Sequence, residues 1–312
     1  MKEPASGYRT GGRPERPAGP RSLMRIRETL PAVLMAALFI GAAMAAEAPQ
    51  YVVRFPNGSI NWSAGEIIAS GSGSPLDRQT PNAASAEAAV YSIAMLNAGQ
   101  NLFDILQQVR IDSQLRMENL AVRNPQLLVK AREMVYASQE AENRRRLDEA
   151  GTLTVYLRFA LHGGFAQLVL PPEITHVDSI TRVMPGKNAP AETADPDAYT
   201  GLVVDARNIG TQPAMVPRIV DENGQEVYGP AFASREYAVQ KGMSSYETDF
   251  EAALKNPRIG DAPLIVKGLR SDGPGRCDIV IASADAAKIR QSSDHLLFLR
   301  ECQVVIVLDA PK

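Results

Sequence analysis

The sequence predicts an α+β fold in two small domains: a long helix packed on an antiparallel sheet, then a β-rich, mixed α/β domain. Three observations predict it. From about Ser85 to Val109, apolar side chains recur at three- and four-residue spacing, the stripe of an amphipathic helix. From Thr152 to Leu161 the pattern switches to strict alternation, with Leu153, Val155, Leu157, Phe159 and Leu161 on one face. Short β-branched runs then dominate the chain beyond Tyr199, which a proline-rich segment, Met184 to Ala198 (MPGKNAPAETADPDA), separates from what precedes it.

Residues 1–46 read as an export signal and not as part of the fold. Arg25 and Arg27 precede the apolar run Leu30 to Ile40, and the small-residue segment Gly41 to Ala46 follows, in the order of a cleavable secretory signal. Ala43-Met44-Ala45 fits the cleavage rule, placing the mature start near Ala46 or Glu47 in the periplasm. The apolar stretch is marginal for spanning a bilayer, so no permanent anchor is expected. Met1 to Leu23 extends the signal unusually, and Met24 begins a more ordinary version of it. No cysteine lies at the cleavage site, so lipid attachment there is excluded.

Within the first domain, residues 47–183, Tyr51 to Phe55 is a β-type run and Pro56-Asn57-Gly58-Ser59 a turn signal. A second strand through Trp62 to Ala69 ends in Ser70-Gly71-Ser72-Gly73-Ser74, read as a flexible exit. The long helix follows, with Ala89, Ile93, Leu96, Leu102, Phe103, Leu106 and Val109 as its stripe. Asn101, at the head of its most apolar part, is expected to bond nearby backbone groups. Shorter helices are expected over Asp112 to Arg123 and Pro125 to Val135, proline suiting a helix first turn. Gly163-Gly164 is expected to turn the alternating strand into a second strand, Phe165 to Leu170.

The second domain, residues 199–312, reads as strands at Gly201 to Ala206, Met215 to Asp221 and Gln225 to Tyr228, and a short helix at Tyr246 to Leu254. Further strands are expected at Pro263 to Leu269, Cys277 to Ala282 and Cys302 to Leu308, with a helix from Ala284 to Gln291 between the last two.

The 312 residues carry 33 Lys+Arg against 35 Asp+Glu, which argues against a nucleic-acid binder drawn by overall positive potential. Losing residues 1–45 removes seven basic and three acidic residues, leaving 26 against 32 and a mature net charge of −6. The sequence contains no P-loop, no G-x-S-x-G and no H-E-x-x-H, and its two cysteines and three histidines stand far apart, so no catalytic, cofactor or metal residues are nominated. His162, His176 and His295 read as surface or capping residues, Asp221-Glu222-Asn223-Gly224 as a tight hairpin turn. Gly71-Ser72-Gly73 lies too far from the next helix to cradle a phosphate. Arg144, Arg145 and Arg146 form a basic cluster that could meet a partner; Glu140 with Arg144 and Glu142 with Arg146 suit i,i+4 pairs on an exposed helix end.

Cys277 and Cys302 are a candidate disulfide for an exported chain. They can bridge if their strands are parallel neighbours joined by the intervening helix. If the strands run antiparallel they cannot, and both thiols are then small core residues.

Two sets of segments look familiar together. In the first domain they are GEIIASGSGSP, the Ala-rich helix entering NLFDILQQVRIDSQ, and GTLTVYLRFALHGGFAQLVLP. In the second they are YTGLVVDARNIGTQPAMVPRIVDENGQEVYG and CDIVIASADAAKI. Together they resemble bacterial envelope proteins related to small outer-membrane lipoproteins of the FlgP type and to the flagellar assembly protein FlgT. The helix motif A-x-x-N-L-x-x-x-[LV]-x-x-V is matched by Ala98, Asn101, Leu102, Ile105 or Leu106, and Val109. The resemblance implies a non-enzymatic periplasmic scaffold or assembly protein, with no cofactor and with envelope or flagellar basal-body proteins, or further copies of itself, as partners. The alternative is a soluble periplasmic ligand-binding module, for example for peptidoglycan fragments, although one tryptophan and few aromatics make a poor sugar platform.

Overall fold

A computed structural model describes residues 49–75, 83–141, 145–175, 199–291 and 293–311. The expected signal segment, the linker, His176 and Arg144 lie outside the described residues. The chain is α+β, and residues 47–312 form one compact unit.

The first half builds a sheet from β1 (Val52–Phe55), β2 (Gly58–Asn61) and β3 (Glu66–Gly73). Helices α1 (Ala83–Gln107), α2 (Met117–Arg123) and α3 (Pro125–Tyr136) follow. The short strands β4 (Gln139–Glu140) and β5 (Arg146–Leu147) then lead into β6 (Leu153–Ala160) and helix α4 (Gly164–Val169). All pairings are antiparallel, in the order β1-β2-β3-β6, with β4 and β5 on the outer edge of β6.

The glycine-serine stretch is not a flexible exit. It is the second half of β3, paired with β6 from Ser70 opposite Tyr156 to Gly73 opposite Leu153. Its glycines serve close packing: a Cβ on Gly71 would lie 2.0 Å from the Ala98 nitrogen, and one on Gly73 2.2 Å from the Val90 oxygen. Helix α1 thus rests its backbone on the sheet, and Val90, Ala94, Ala98, Leu102 and Leu106 are its buried line. That shifts the first part of the expected stripe, leaving Leu96 60% exposed. Asn101 bonds as expected, donating from Nδ2 to the Ser70 carbonyl at 2.8 Å. Helix α2 starts later than Asp112, because the Asp112 carboxylate accepts from the Gln114 and Leu115 amides (2.7 and 2.8 Å) and fixes a turn there. Phe165 to Leu170 is not a strand: α4 buries Phe165, Ala166 and Val169 at helical spacing.

The second half contributes β7 (Gly201–Asp205), β8 (Arg218–Asp221), β9 (Glu226–Tyr228), helix α5 (Arg235–Lys241), β10 (Ser245–Glu247) and helix α6 (Phe250–Leu254). After a 3₁₀ turn at Pro257–Ile259 come β11 (Pro263–Asp272), β12 (Asp278–Ile281), α7 (Ser283–Arg290), α8 (Ser293–Arg300) and β13 (Val304–Val307). The strand order is β10-β13-β7-β11-β12-β8-β9. The four strands from β10 to β11 are mutually parallel, and β12 runs antiparallel to β11. The expected helix over Tyr246 to Leu254 is instead β10 followed by α6. Asp249 divides them, its carboxylate accepting from the Ala252 amide at 2.7 Å as an N-cap.

This topology answers the cysteine question. The strands that follow Cys277 and Cys302, β12 and β13, run in opposite directions and are separated by β7 and β11, three strand spacings or about 14 Å. Both cysteines are free and buried, so the disulfide is not formed. Burial pushes the Cys277 thiol up to about 12.

The two sheets share one core, running from Tyr51 through Leu106, Phe165 and Ile219 to Leu308. A second, smaller core of Val203, Ala253, Ile259, Val305 and Val307 lies where α6 and the 3₁₀ turn cover β7 and β13.

Gly71→Ala should destabilise the fold by about 1–3 kcal/mol, because a methyl group there must part the helix from the sheet. Gly99→Ala, whose Cβ would meet only the Tyr136 ring at 3.5 Å, should be neutral or stabilising by up to about 1 kcal/mol. Urea melts of the two variants check the contrast; equal losses would mean that the close helix–sheet contact does not govern stability.

Candidate functional site

The junction between the halves is built largely from main-chain groups. The loop 110–116 docks against the second half: the Met215 amide donates to the Arg110 carbonyl (3.0 Å), Val216 to Ile111 (2.8 Å) and Gly275 to Ser113 (2.7 Å). Arg235, from α5, reaches across to the end of α4. Its guanidinium donates to the carbonyls of Gln167 (2.9 Å), Pro171 (3.0 Å) and Ile174 (3.3 Å), and its amide donates to Thr175 (3.0 Å). Helix C-termini leave carbonyls without intrahelical partners, and a buried one costs about 1–3 kcal/mol if unmet. Within the second half, Arg258 donates to the carbonyls of Lys241 and Gly242 at the end of α5 and to that of Cys302. Trp62 stacks edge-on against Tyr246 at 6.0 Å, and the Ser63 hydroxyl donates to the Tyr246 carbonyl at 2.6 Å.

His162 sits in this junction and not on the free surface. Gly65 and Gly242 both take positive φ, and a Cβ on either would collide with its ring at 2.1 and 2.7 Å. Its Nδ1 is buried with no hydrogen-bond partner. Burial first, then the Arg258 charge, lowers its pKa below the usual 6.5.

Beside the junction a cleft of about 700 Å³ opens. Leu115, Leu120 and Leu127 form one wall, Leu168, Leu170, Pro171 and Pro172 a second, and Val216 and Pro230 a third; Asp112, Ser113, Glu173, Arg218 and Glu226 supply its polar groups. Arg218 donates from Nε to Glu226 Oε2 at 2.9 Å, with Nη2 also 2.9 Å from that oxygen. Behind the cleft, burial raises the Asp278 carboxyl pKa, opposed by a Ser113 hydrogen bond.

A second concavity, about 420 Å³, is a groove between α1 and α3. Tyr91, Met95, Leu96, Gly99, Val135 and Tyr136 line it. Leu96 and Tyr136 are each 60% exposed, and Val129, two turns back along the Tyr136 face of α3, is 58% exposed.

The expected arginine cluster is not on a helix end. Glu140 lies in β4 and Arg146 in β5, while Glu142 and Arg144, their expected i,i+4 partners, lie outside the described residues; Arg145 clamps Glu140 through two bonds (3.0 and 2.7 Å) and lies over the Tyr91 ring at 4.8 Å. The hydrogen bond from Arg145 is the main reason that the Glu140 carboxyl titrates below its ordinary value. The turn at Asp221 is a hairpin, its carboxylate accepting from the Asn223 and Gln225 amides and pairing with Arg290 at 3.0 Å. His295 falls within α8. Among the described residues no group of three His, Cys, Asp or Glu side chains could hold a metal ion, and no helix is long and apolar enough to cross a membrane.

A family model described as the second domain of Treponema pallidum Tp0624 matches residues 201–310, about a third of the chain. That match spans β7 to β13, the whole second sheet. No curated protein matches the chain.

His162 makes the junction acid-sensitive. Below about pH 6.5 the unfolded chain binds a proton that the folded chain, with its lowered pKa, does not, so stability is full above that pH and falls as acid is added. Urea midpoints at about pH 7.5 and 5.5 should therefore drop further for the wild type than for His162→Gln. Equal drops would remove this residue from the account.

Proposed function

We propose that this is an exported, non-enzymatic scaffold or assembly protein of the bacterial envelope, working through protein–protein contacts. The carrying observation is the groove between α1 and α3, where Leu96 and Tyr136 stand exposed. Apolar side chains of this size grouped about a concavity mark interaction sites on soluble proteins. The order of charge, apolar run and small residues over 25–46 supports export, and the likeness to FlgP-type and FlgT-related proteins supports a flagellar basal body or another envelope machine as the setting. The alternative, a periplasmic module for peptidoglycan fragments, draws on the junction cleft, but among the described residues that cleft is lined by no aromatic side chain on which a sugar could stack.

The test is crosslinked pull-down from the periplasm with motility scored in parallel. A deletion strain would carry either the wild type or a Leu96→Asp, Tyr136→Asp double variant. Both positions are exposed, so the variant should melt within about 1 kcal/mol of the wild type. The wild type should capture defined envelope proteins or its own copies, and the variant should lose them. Unchanged capture by the variant, or a wild type without any envelope partner, would overturn the proposal.

A further inference from the structure

The junction cleft belongs to neither half alone and is separate from the α1–α3 groove. Its volume of about 700 Å³ is that of a binding site, about 300–1,000 Å³, and its walls are mainly leucine and proline. Its charges are unbalanced. Arg218 is already neutralised by Glu226 at 2.9 Å. Asp112 uses Oδ1 for two backbone amides. Neither it nor the exposed Glu173 has a cation within ion-pair distance among the described residues. Among the described residues, two carboxylates therefore stand at the cleft without counter-charges, next to apolar surface that water covers poorly.

We infer that this cleft receives a polypeptide segment of a partner protein that sets apolar side chains beside a lysine or arginine. The apolar side chains would fill the space between Leu120, Leu127, Leu168 and Pro230, and the basic group would meet Asp112 and Glu173 at the mouth. An anionic lipid headgroup or a phosphate would face the same two carboxylates and be repelled. Because main-chain bonds of the junction hold the cleft open, binding requires little rearrangement.

Fluorescence anisotropy with labelled heptapeptide probes tests this on the full mature chain. One probe carries leucines and lysines; its twins replace the lysines with glutamate or serine. At low salt the lysine peptide should bind about tenfold more tightly than the glutamate twin, the effect of two favourable rim pairs. Asp112→Asn with Glu173→Gln should reduce that gap to about twofold while leaving the turn at Asp112 intact, because asparagine keeps the accepting oxygen. Ala231→Trp, at an exposed position on the cleft wall, should weaken the lysine peptide by about tenfold or more without lowering the melting temperature. The Leu96→Asp, Tyr136→Asp variant should bind it normally, so failure of the groove and failure of the cleft are told apart. The inference is overturned by equal binding of the lysine and glutamate peptides, by tighter binding of the glutamate twin, by unchanged binding to Ala231→Trp, or by no binding of any probe.

Discussion

The structure depends on main-chain carbonyls at the junction that one half presents and the other half satisfies. Helix α4 ends against the second half, and the carbonyls of Gln167, Pro171 and Ile174 meet the single guanidinium of Arg235. Arginine suits this role because its planar fork offers several donors in fixed directions and stays charged at any physiological pH. Neither Arg235 nor Arg258 has a carboxylate within ion-pair distance among the described residues. Each is held by main-chain dipoles. Parting the halves would strand the carbonyls that Arg235 meets and open a core that runs from Tyr51 to Leu308.

The same constraint places the functional surfaces. The loop 110–116 is fixed by bonds to Met215, Val216 and Gly275, and that loop forms one wall of the cleft. The end of α4, held by Arg235, forms another. The cleft is thus a by-product of the junction, and its shape is as stable as the junction itself. The α1–α3 groove has a different origin. Helix α1 sits so close to β3, over Gly71 and Gly73, that its small residues face inward and Leu96 is turned towards solvent.

Much of the local structure was legible in the residues. The long helix, the alternation over Thr152 to Leu161 and the β-branched runs after Tyr199 carry strong periodic signals. What was not legible depended on partners distant in sequence. Glycines 71 and 73 read as loop formers because a strand's need to admit a helix backbone leaves no local trace. Phe165 to Leu170 is a short apolar run whose period does not distinguish strand from helix, and Tyr246 to Leu254 hides a strand-to-helix change at Asp249. The cysteine pair turned on strand order, which no spacing encodes. The cleft was illegible for the same reason: Asp112, Glu173 and the Arg218–Glu226 hairpin pair come from separate segments, and only the junction makes them neighbours.

The central claim is that the two sheets fold as one cooperative unit across this junction. Scanning calorimetry of the mature chain and its Arg235→Met variant tests it most directly. One transition is expected, with calorimetric and van't Hoff enthalpies in agreement, and it should move to lower temperature in the variant without splitting. Two separate transitions in the wild type, one of them reproduced by residues 199–312 alone, would contradict it.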